Sequence, residues 1–160
     1  MSLRITRERL QRFRKLDRRE QGAFLRAAAL LAALQISLYF VGFRRTYQTL
    51  QKVPRSHAMA SPQTEDISLL VNTTVRMVRA AARYGIGWST CLEESLILWF
   101  LLQRQGIPAQ LRIGARKLDK EFEAHAWVEC GGAAINDPEE LHRHYAAFDG
   151  TLPVGLTETQ

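Results

Sequence analysis

Hydrophobic positions follow a helical period in the first two thirds of the chain and a strand period after it. Across residues 62–84, apolar side chains recur every three to four residues, and Gly85 is a natural helix stop. A second apolar run, LEESLILWFLLQRQ, follows Thr90 and ends at Gly106. Because this run is apolar on nearly every side, it predicts a helix at the centre of a core.

From Ala109 onward, apolar and polar residues alternate as they do in strands. The charged segment RKLDKE predicts a turn after the first strand. In the second strand the expected core-facing residues are Phe122, Ala124, Ala126 and Val128. The string CGG then turns the chain into a third short strand, AAIND. The order predicts an α+β fold, in which helices come first and a small antiparallel sheet packs against the second apolar helix.

Two further helices are expected before these elements, at about 21–42 and 44–52. Residues 1–20 contain eight Lys and Arg against three acids, which accounts for most of the net charge of +6. The remainder is close to neutral, so a protein that coats nucleic acid is not expected. Residues 53–63 contain two prolines and predict a linker. We expect a helical N-terminal region over 1–60, for partner docking or membrane contact, and a catalytic core over 61–160.

Residues 27–43 form a run of 17 residues without a charge. A helix that spans a bilayer needs about 20 apolar residues, and this run is rich in alanine. The favoured interpretation is a buried or interface-facing helix. A peripheral membrane helix and a true span are the alternatives. The expected location is the cytoplasm, with membrane association left open.

Cys91 is the first candidate for chemistry. Thr90 and Glu93 match the capping box, which makes Cys91 the first residue of the apolar helix. Unpaired amides and the helix dipole at such a position favour a thiolate, and the same amides can face an oxyanion. The alternative is a small buried hydrophobe, as most free cysteines are. The only other cysteine, Cys130, is expected in a turn.

His125 and Asp137 are the candidate partners of this thiol. His125 lies mid-strand between two alanines, on the face opposite the core positions. The tight turn that follows brings residues 136–137 back towards it, so that a carboxylate can fix its tautomer. Asn136 is the competing orienting group, because papain-like sites use an amide there. A structural or exposed histidine is the alternative for His125.

The weaker candidates are aromatic and imidazole side chains. Trp127, on the His125 side of its strand, and Trp88, just before the cap, are expected at a substrate cleft, with Asn136 beside them. Partly buried aromatic residues are the alternative. His142 and His144 lack a companion ligand at metal-binding spacing, which favours a plain surface helix. No metal or cofactor is expected, and no glycine-rich phosphate loop follows a strand.

Five motifs between residues 85 and 140 resemble a known family: C-L-x-x-S-L, L-L-x-x-x-G-I-P-A, L-x-I-G-A-R, F-x-A-H-A-W-V-E and N-D-P. They are similar to the leader peptidases of lasso peptide biosynthesis (the B2 type), within the transglutaminase-like superfamily. The resemblance implies a transglutaminase- or papain-like core with Cys91, His125 and Asp137 as a catalytic triad. Many relatives carry a basic residue where Glu93 or Glu94 stands, a departure that affects local substrate contacts rather than the triad.

The implied reaction is hydrolysis of the bond between leader and core in a ribosomally synthesised lasso precursor peptide. A separate leader-binding protein is implied to deliver the leader, and an ATP-dependent lasso cyclase to close the ring. Two other functions stay open. One is another Cys-His-Asp acyltransferase or amidase of the same superfamily, and the other is a non-catalytic, membrane-associated binding protein.

Overall fold

Helices come first in the fold and a small sheet follows. A computed structural model describes residues 13–14, 16–53, 64–84, 89–118, 121–137 and 140–148. Within these residues the helices are α1 (Arg18–Val41), α2 (Phe43–Lys52), α3 (Thr64–Tyr84) and α4 (Cys91–Arg104). The strands are β1 (Gln110–Leu118), β2 (Glu121–Cys130), β3 (Ala133–Ala134) and β4 (Ala146–Ala147), with a short 3₁₀ helix, Leu141–His144, before β4. The predicted α+β class is confirmed.

One hydrophobic core joins the helices to the sheet. Its largest fully buried apolar side chains come mainly from α4: Leu96, Ile97, Leu98 and Leu102, with Val78 of α3 and Val128 of β2. Burying a side chain of this size stabilises the fold by roughly 1.5–3 kcal/mol relative to leaving it exposed. The prediction that α4 is the central helix is therefore confirmed.

The N-terminal helix α1 shares this core. Its buried residues Ala27, Leu31 and Leu34 belong to the same cluster as those of α3 and α4. Most of the predicted linker lies outside the described residues, as does most of the basic segment before α1. The division of the chain at residue 60 stays a prediction.

The four strands form an antiparallel sheet in the order β3-β2-β1-β4. The long pair β1 and β2 runs from Gln110 opposite Glu129 to Leu118 opposite Glu121. Strand β4, which the sequence pattern did not predict, pairs with the middle of β1, placing Ala147 opposite Gly114. This pairing brings the segment 141–147 onto the sheet beside His125.

The expected core face of β2 is correct only for its second half. Ala126 and Val128 are buried, but Ala124 is exposed and Phe122 is 79% exposed. Helix α4 meets β2 at Ala126, where the Ser95 hydroxyl reaches the strand. All four residues 121–124 are exposed. The alternating pattern correctly predicts a strand over these residues, but it does not indicate how much of that strand is buried by the helices.

The third strand is also shorter than expected. It was predicted over 133–137, whereas β3 contains only Ala133 and Ala134. The amide oxygen of Asn136 accepts the hydrogen bond from the Val128 N–H at 2.7 Å. A side chain thus replaces the main-chain carbonyl that a longer strand would supply, and the ladder ends.

Candidate active site

Cys91 is the first residue of helix α4, as the sequence predicts. The Thr90 N–H donates to Glu93 Oε2 at 2.7 Å and the Glu93 N–H donates to Thr90 Oγ1 at 3.3 Å, which completes the capping box. The Cys91 thiol is exposed and forms no disulfide. It therefore lies beside the amides at the helix start that have no partner within the helix, a position that stabilises an anion.

A single hydroxyl ties the helix that carries Cys91 to the strand that carries His125. Ser95, one turn after Cys91, is fully buried, and its Oγ donates to the Ala126 carbonyl at 2.9 Å. The same Oγ accepts from Asn136 Nδ2 at 2.8 Å. Because Ala126 follows His125 in the chain, the start of α4 and the middle of β2 are held side by side.

Asp137 lies next to His125, but its nearest partner is a different histidine. His125 Nε2 is 3.8 Å from Asp137 Oδ2, too far for a hydrogen bond. His142 contacts the same Oδ2 through its backbone N–H at 2.5 Å and through ring Nδ1 at 2.8 Å. Within the part of the chain that the structure describes, His125 Nε2 is buried without a hydrogen-bond partner. Such an atom destabilises a fold by about 1–3 kcal/mol.

The His142 contacts control the ionisation of Asp137. Burial alone would raise the pKa of this carboxyl group, but the hydrogen bonds from His142 and its neighbour Leu141 outweigh burial and hold the pKa below its ordinary value. Because the pKa of Asp137 is lower in the folded than in the unfolded state, this carboxyl group stabilises the fold at pH values above its unfolded-state pKa. The stabilisation is lost as the pH falls through the folded-state pKa. Asp137 is therefore a carboxylate near neutral pH.

Aromatic rings pack against both histidines. Trp127 is only 2% exposed, and its ring centroid lies 6.0 Å from that of His125 and 5.7 Å from that of His142. Tyr145 flanks His125 with a centroid distance of 5.2 Å. Gly114 makes room for these rings, because a Cβ there would lie 3.0 Å from Tyr145 Cβ and 3.1 Å from Trp127 Cη2. The two imidazoles are thus held by packing.

Two side chains of opposite charge lie beside Tyr145. Arg116 pairs with Glu123, its Nε donating to Oε2 at 2.7 Å, and its guanidinium carbon lies 4.7 Å from the Tyr145 ring centroid. Burial raises the pKa of Tyr145; Arg116 opposes this rise, while the negative charges of Glu123 and Cys91 add to it. Arg116 and Glu123 thus set the charge beside the ring that flanks His125.

A cysteine at a helix start is thus followed along the chain by a strand histidine, and this histidine lies beside a buried carboxylate. A family model described as Transglutaminase-like superfamily matches residues 29–148, three quarters of the chain. The chain belongs to the transglutaminase-like superfamily. No curated protein and no solved structure is significantly similar to it. Transglutaminase-like membership points to cysteine-based peptidase or acyltransferase chemistry, for which Cys-His-Asp sets are typical.

The other predicted site residues of this transglutaminase-like protein have different surroundings. Trp88 lies outside the described residues. The Trp127 Nε1 donates to Glu129 Oε1 at 2.9 Å, and the ring supports the histidines from behind. Its part in a substrate cleft stays a prediction, as does that of Asn136. Asn136 uses both ends of its amide within the fold, towards Val128 and Ser95.

Asn136→Ala is expected to lower the free energy of unfolding by roughly 1–3 kcal/mol, because the Val128 N–H loses its acceptor and Ser95 Oγ loses the amide that donates to it. Urea denaturation measures this loss. Asn72→Ala is the matched control, because Asn72 is an exposed residue of α3. If Asn136→Ala instead slowed catalysis as much as Asp137→Ala while the protein stayed folded, the amide would be the group that orients His125.

The second histidine of the transglutaminase-like site was missed by the sequence pattern. The sequence pattern favours a surface helix at His142, whereas the residue is half-buried in a 3₁₀ turn, with ring Nδ1 2.8 Å from Asp137 Oδ2. Glu140, in the left-handed region at φ 52°, makes the sharp bend that returns the chain to Asp137. The sequence signal for this contact is weak, because it consists only of the five-residue spacing between Asp137 and His142. Among the described residues, no group of three or more His, Cys, Asp or Glu side chains is arranged to hold a metal ion.

Proposed function

We propose that this protein is a cysteine peptidase that removes the leader from a ribosomally synthesised lasso precursor peptide. The chemistry is supported by the exposed Cys91 at the start of α4, by the Ser95 hydroxyl that ties α4 to the strand of His125, and by the 3.8 Å between His125 Nε2 and Asp137 Oδ2. Superfamily membership supports thiol acyl chemistry in general. The choice of a lasso precursor rests on the motif resemblance over residues 85–140.

Acylation begins at the exposed thiol. The Cys91 thiolate attacks the scissile carbonyl, and the first-turn amides of α4 stabilise the oxyanion that forms. His125 turns Nε2 towards Asp137, which leaves Nδ1 to take the thiol proton and to pass it to the leaving amine. The C–N bond breaks, the amine leaves protonated, and the acyl group stays on sulfur as a thioester.

Deacylation uses the same imidazole as a base. His125 takes a proton from a water molecule, whose oxygen attacks the thioester carbonyl, and the thiolate leaves as the carboxylic acid forms. Asp137 orients the imidazole and stabilises the imidazolium in both steps. The exposure of Cys91 suits a polypeptide substrate, which must approach the thiol from outside the fold.

His142 acts through Asp137 as a positioning residue. Its two contacts fix Oδ2, and Oδ2 is also the oxygen that faces His125 Nε2. A shift of about 1 Å brings these two atoms to hydrogen-bond distance. The proposed working geometry keeps the His142 contacts and closes this gap when substrate binds, since catalytic hydrogen bonds tighten in the reacting complex.

Incubation of the purified protein with a lasso precursor, with and without the separate leader-binding protein, tests the function. Mass spectrometry is expected to show free leader and free core, with one water added across one bond. Transfer of the leader acyl group to an added amine, without hydrolysis, would indicate an acyltransferase instead. Binding without any covalent change would favour the non-catalytic binding protein. Either result overturns the peptidase proposal. The lasso cyclase enters only afterwards, acting on the released core.

His142→Ala is expected to lower kcat by roughly tenfold to a hundredfold, a loss typical of misplaced catalytic groups, with KM little changed. The pKa of Asp137 is expected to rise, because a hydrogen bond to its carboxylate is lost. Steady-state kinetics and an NMR titration of the Asp137 carboxyl carbon measure the two effects. His144→Ala is the matched control, because His144 is exposed and two residues away. An unchanged kcat would exclude His142 from the mechanism.

A further inference from the structure

An apolar stripe on helix α1 faces away from the core. Its members are all exposed and recur every three or four residues: Leu25, Ala29, Ala33, Ile36 and Phe40. From Leu25 to Phe40 the stripe is about 22 Å long. Tyr39 beside it is 83% exposed, and its ring meets that of Phe40 edge-on with centroids 4.9 Å apart. Exposed Arg26 borders the stripe near its start, and contiguous exposed apolar surface of the kind that follows it is a mark of interaction sites.

Exposed arginines lie at both ends of this stripe. Arg18 and Arg19 begin α1, and Arg44 and Arg45 follow its last turn. Within the described part of the chain, none of the four forms an ion pair. Residues 1–17, which precede α1, contain six further Lys and Arg residues against two acids and add charge of the same sign. A helix with an outward apolar stripe and flanking cations fits a lipid surface of negative charge.

We propose that α1 docks the protein on an anionic membrane, with the stripe in the interfacial layer and the arginines at the lipid headgroups. The helix is long and apolar enough to cross a bilayer, and only 17% of its most apolar 18-residue window is buried. The opposite face of the helix is nevertheless packed into the core, where Ala27, Leu31 and Leu34 are at most 5% exposed. Crossing the bilayer would strip this face from α3 and α4, so the helix lies on the membrane.

A second copy of the chain fits the stripe less well than lipid does. Two such helices packed side by side, in either direction, bring an arginine-bearing end of one against an arginine-bearing end of the other. Like charges at close range disfavour that contact, whereas anionic headgroups neutralise both ends. Docking on a membrane is independent of the peptidase proposal, because no residue of the stripe belongs to the candidate active site.

Vesicle flotation of the full-length protein tests the docking surface. The protein is expected to bind vesicles of phosphatidylcholine mixed with phosphatidylglycerol, to bind phosphatidylcholine alone much less, and to be released by high salt. Replacing both aromatic residues, as Tyr39→Ser with Phe40→Ser, is expected to lower the partition coefficient by at least roughly tenfold, because two apolar side chains leave the interface. Arg44→Gln with Arg45→Gln is expected to lower it by roughly tenfold.

Phe122→Ser is the matched control, since Phe122 is an exposed aromatic residue of β2 outside the stripe, and it should leave binding unchanged. Circular dichroism checks that each variant is folded. Equal binding by the Tyr39/Phe40 variant and the parent would overturn the proposal. So would a dimer in size-exclusion chromatography that the same variant dissociates, because the stripe would then bind a second copy. Retention in the membrane after alkaline carbonate extraction would indicate a span and would overturn it as well.

Discussion

Replacing Cys91 with Ala is expected to reduce peptide cleavage by roughly 10⁶-fold, the scale of loss when the nucleophile of a catalytic triad is removed. The variant has no thiol left at the start of α4, because the only other cysteine in the sequence is Cys130. Because Cys91 is exposed, its removal leaves the core intact, and the free energy of unfolding should change by no more than about 0.5 kcal/mol. Mass spectrometry of the products under single-turnover conditions measures the rate.

Cys130→Ala is the control for this experiment. Cys130 is also a free thiol, half-buried at the end of β2, and it should be dispensable for cleavage. In the parent protein, a thioester trapped at low pH should map to the peptide that contains Cys91. Cleavage at the parental rate by Cys91→Ala would show that the nucleophile is a different group.

The second large effect is expected at the base. His125→Ala should reduce cleavage on a scale comparable to the loss of the thiol, because the imidazole handles a proton in both steps. The substitution breaks no hydrogen bond of His125 Nε2, since this atom has no partner among the described residues. Slower alkylation of Cys91 by iodoacetamide should accompany the rate loss, because the thiol loses its base.

The double variant shows whether the two groups work as one unit. Cys91→Ala combined with His125→Ala should be no slower than either single variant, since removing one member of a nucleophile–base pair already disables the other. Rate losses that multiply would mean that the two side chains act independently, which contradicts the mechanism. His144→Ala serves here as the histidine control.

The sequence predicted the nucleophile end of the site better than the acid end. The capping box of Thr90 and Glu93 is a local signal within four residues, and the structure places Cys91 at the helix start accordingly. His125 was placed on the correct strand because alternation is also local. Both features depend on neighbours in the chain, which is why pattern alone found them.

The features that the sequence missed depend on contacts between distant segments. His142 belongs to one 3₁₀ turn and β4 to two paired residues, and elements this short have no period to detect. The exposure of Phe122 depends on how far α4 covers β2, which no spacing reveals. The side chain of Asn136 ends β3 by replacing a backbone acceptor, and the residues of this segment are equally typical of a longer strand.

Superfamily membership points to cysteine-based peptidase or acyltransferase chemistry, and experiments must identify the substrate. The chain carries helices, sheet and the candidate thiol within the matched residues 29–148. The lasso precursor is a proposal supported by motifs, and the membrane surface is a proposal supported by the exposed face of α1. The two are tested separately, by cleavage and by flotation.

The hydroxyl of Ser95 ties the parts of the candidate site to one fully buried point. It donates to the Ala126 carbonyl next to His125 and accepts from Asn136, the residue before Asp137, while its own helix begins at Cys91. Asp137 and His142 lie on a short connection that leaves the sheet at β3 and rejoins it at β4. Because the backbone beside both His125 and Asp137 is anchored, a change of about 1 Å between Nε2 and Oδ2 needs only small side-chain motion, on the scale of picoseconds to microseconds. Such a site reaches its working geometry far faster than a typical enzyme turns over.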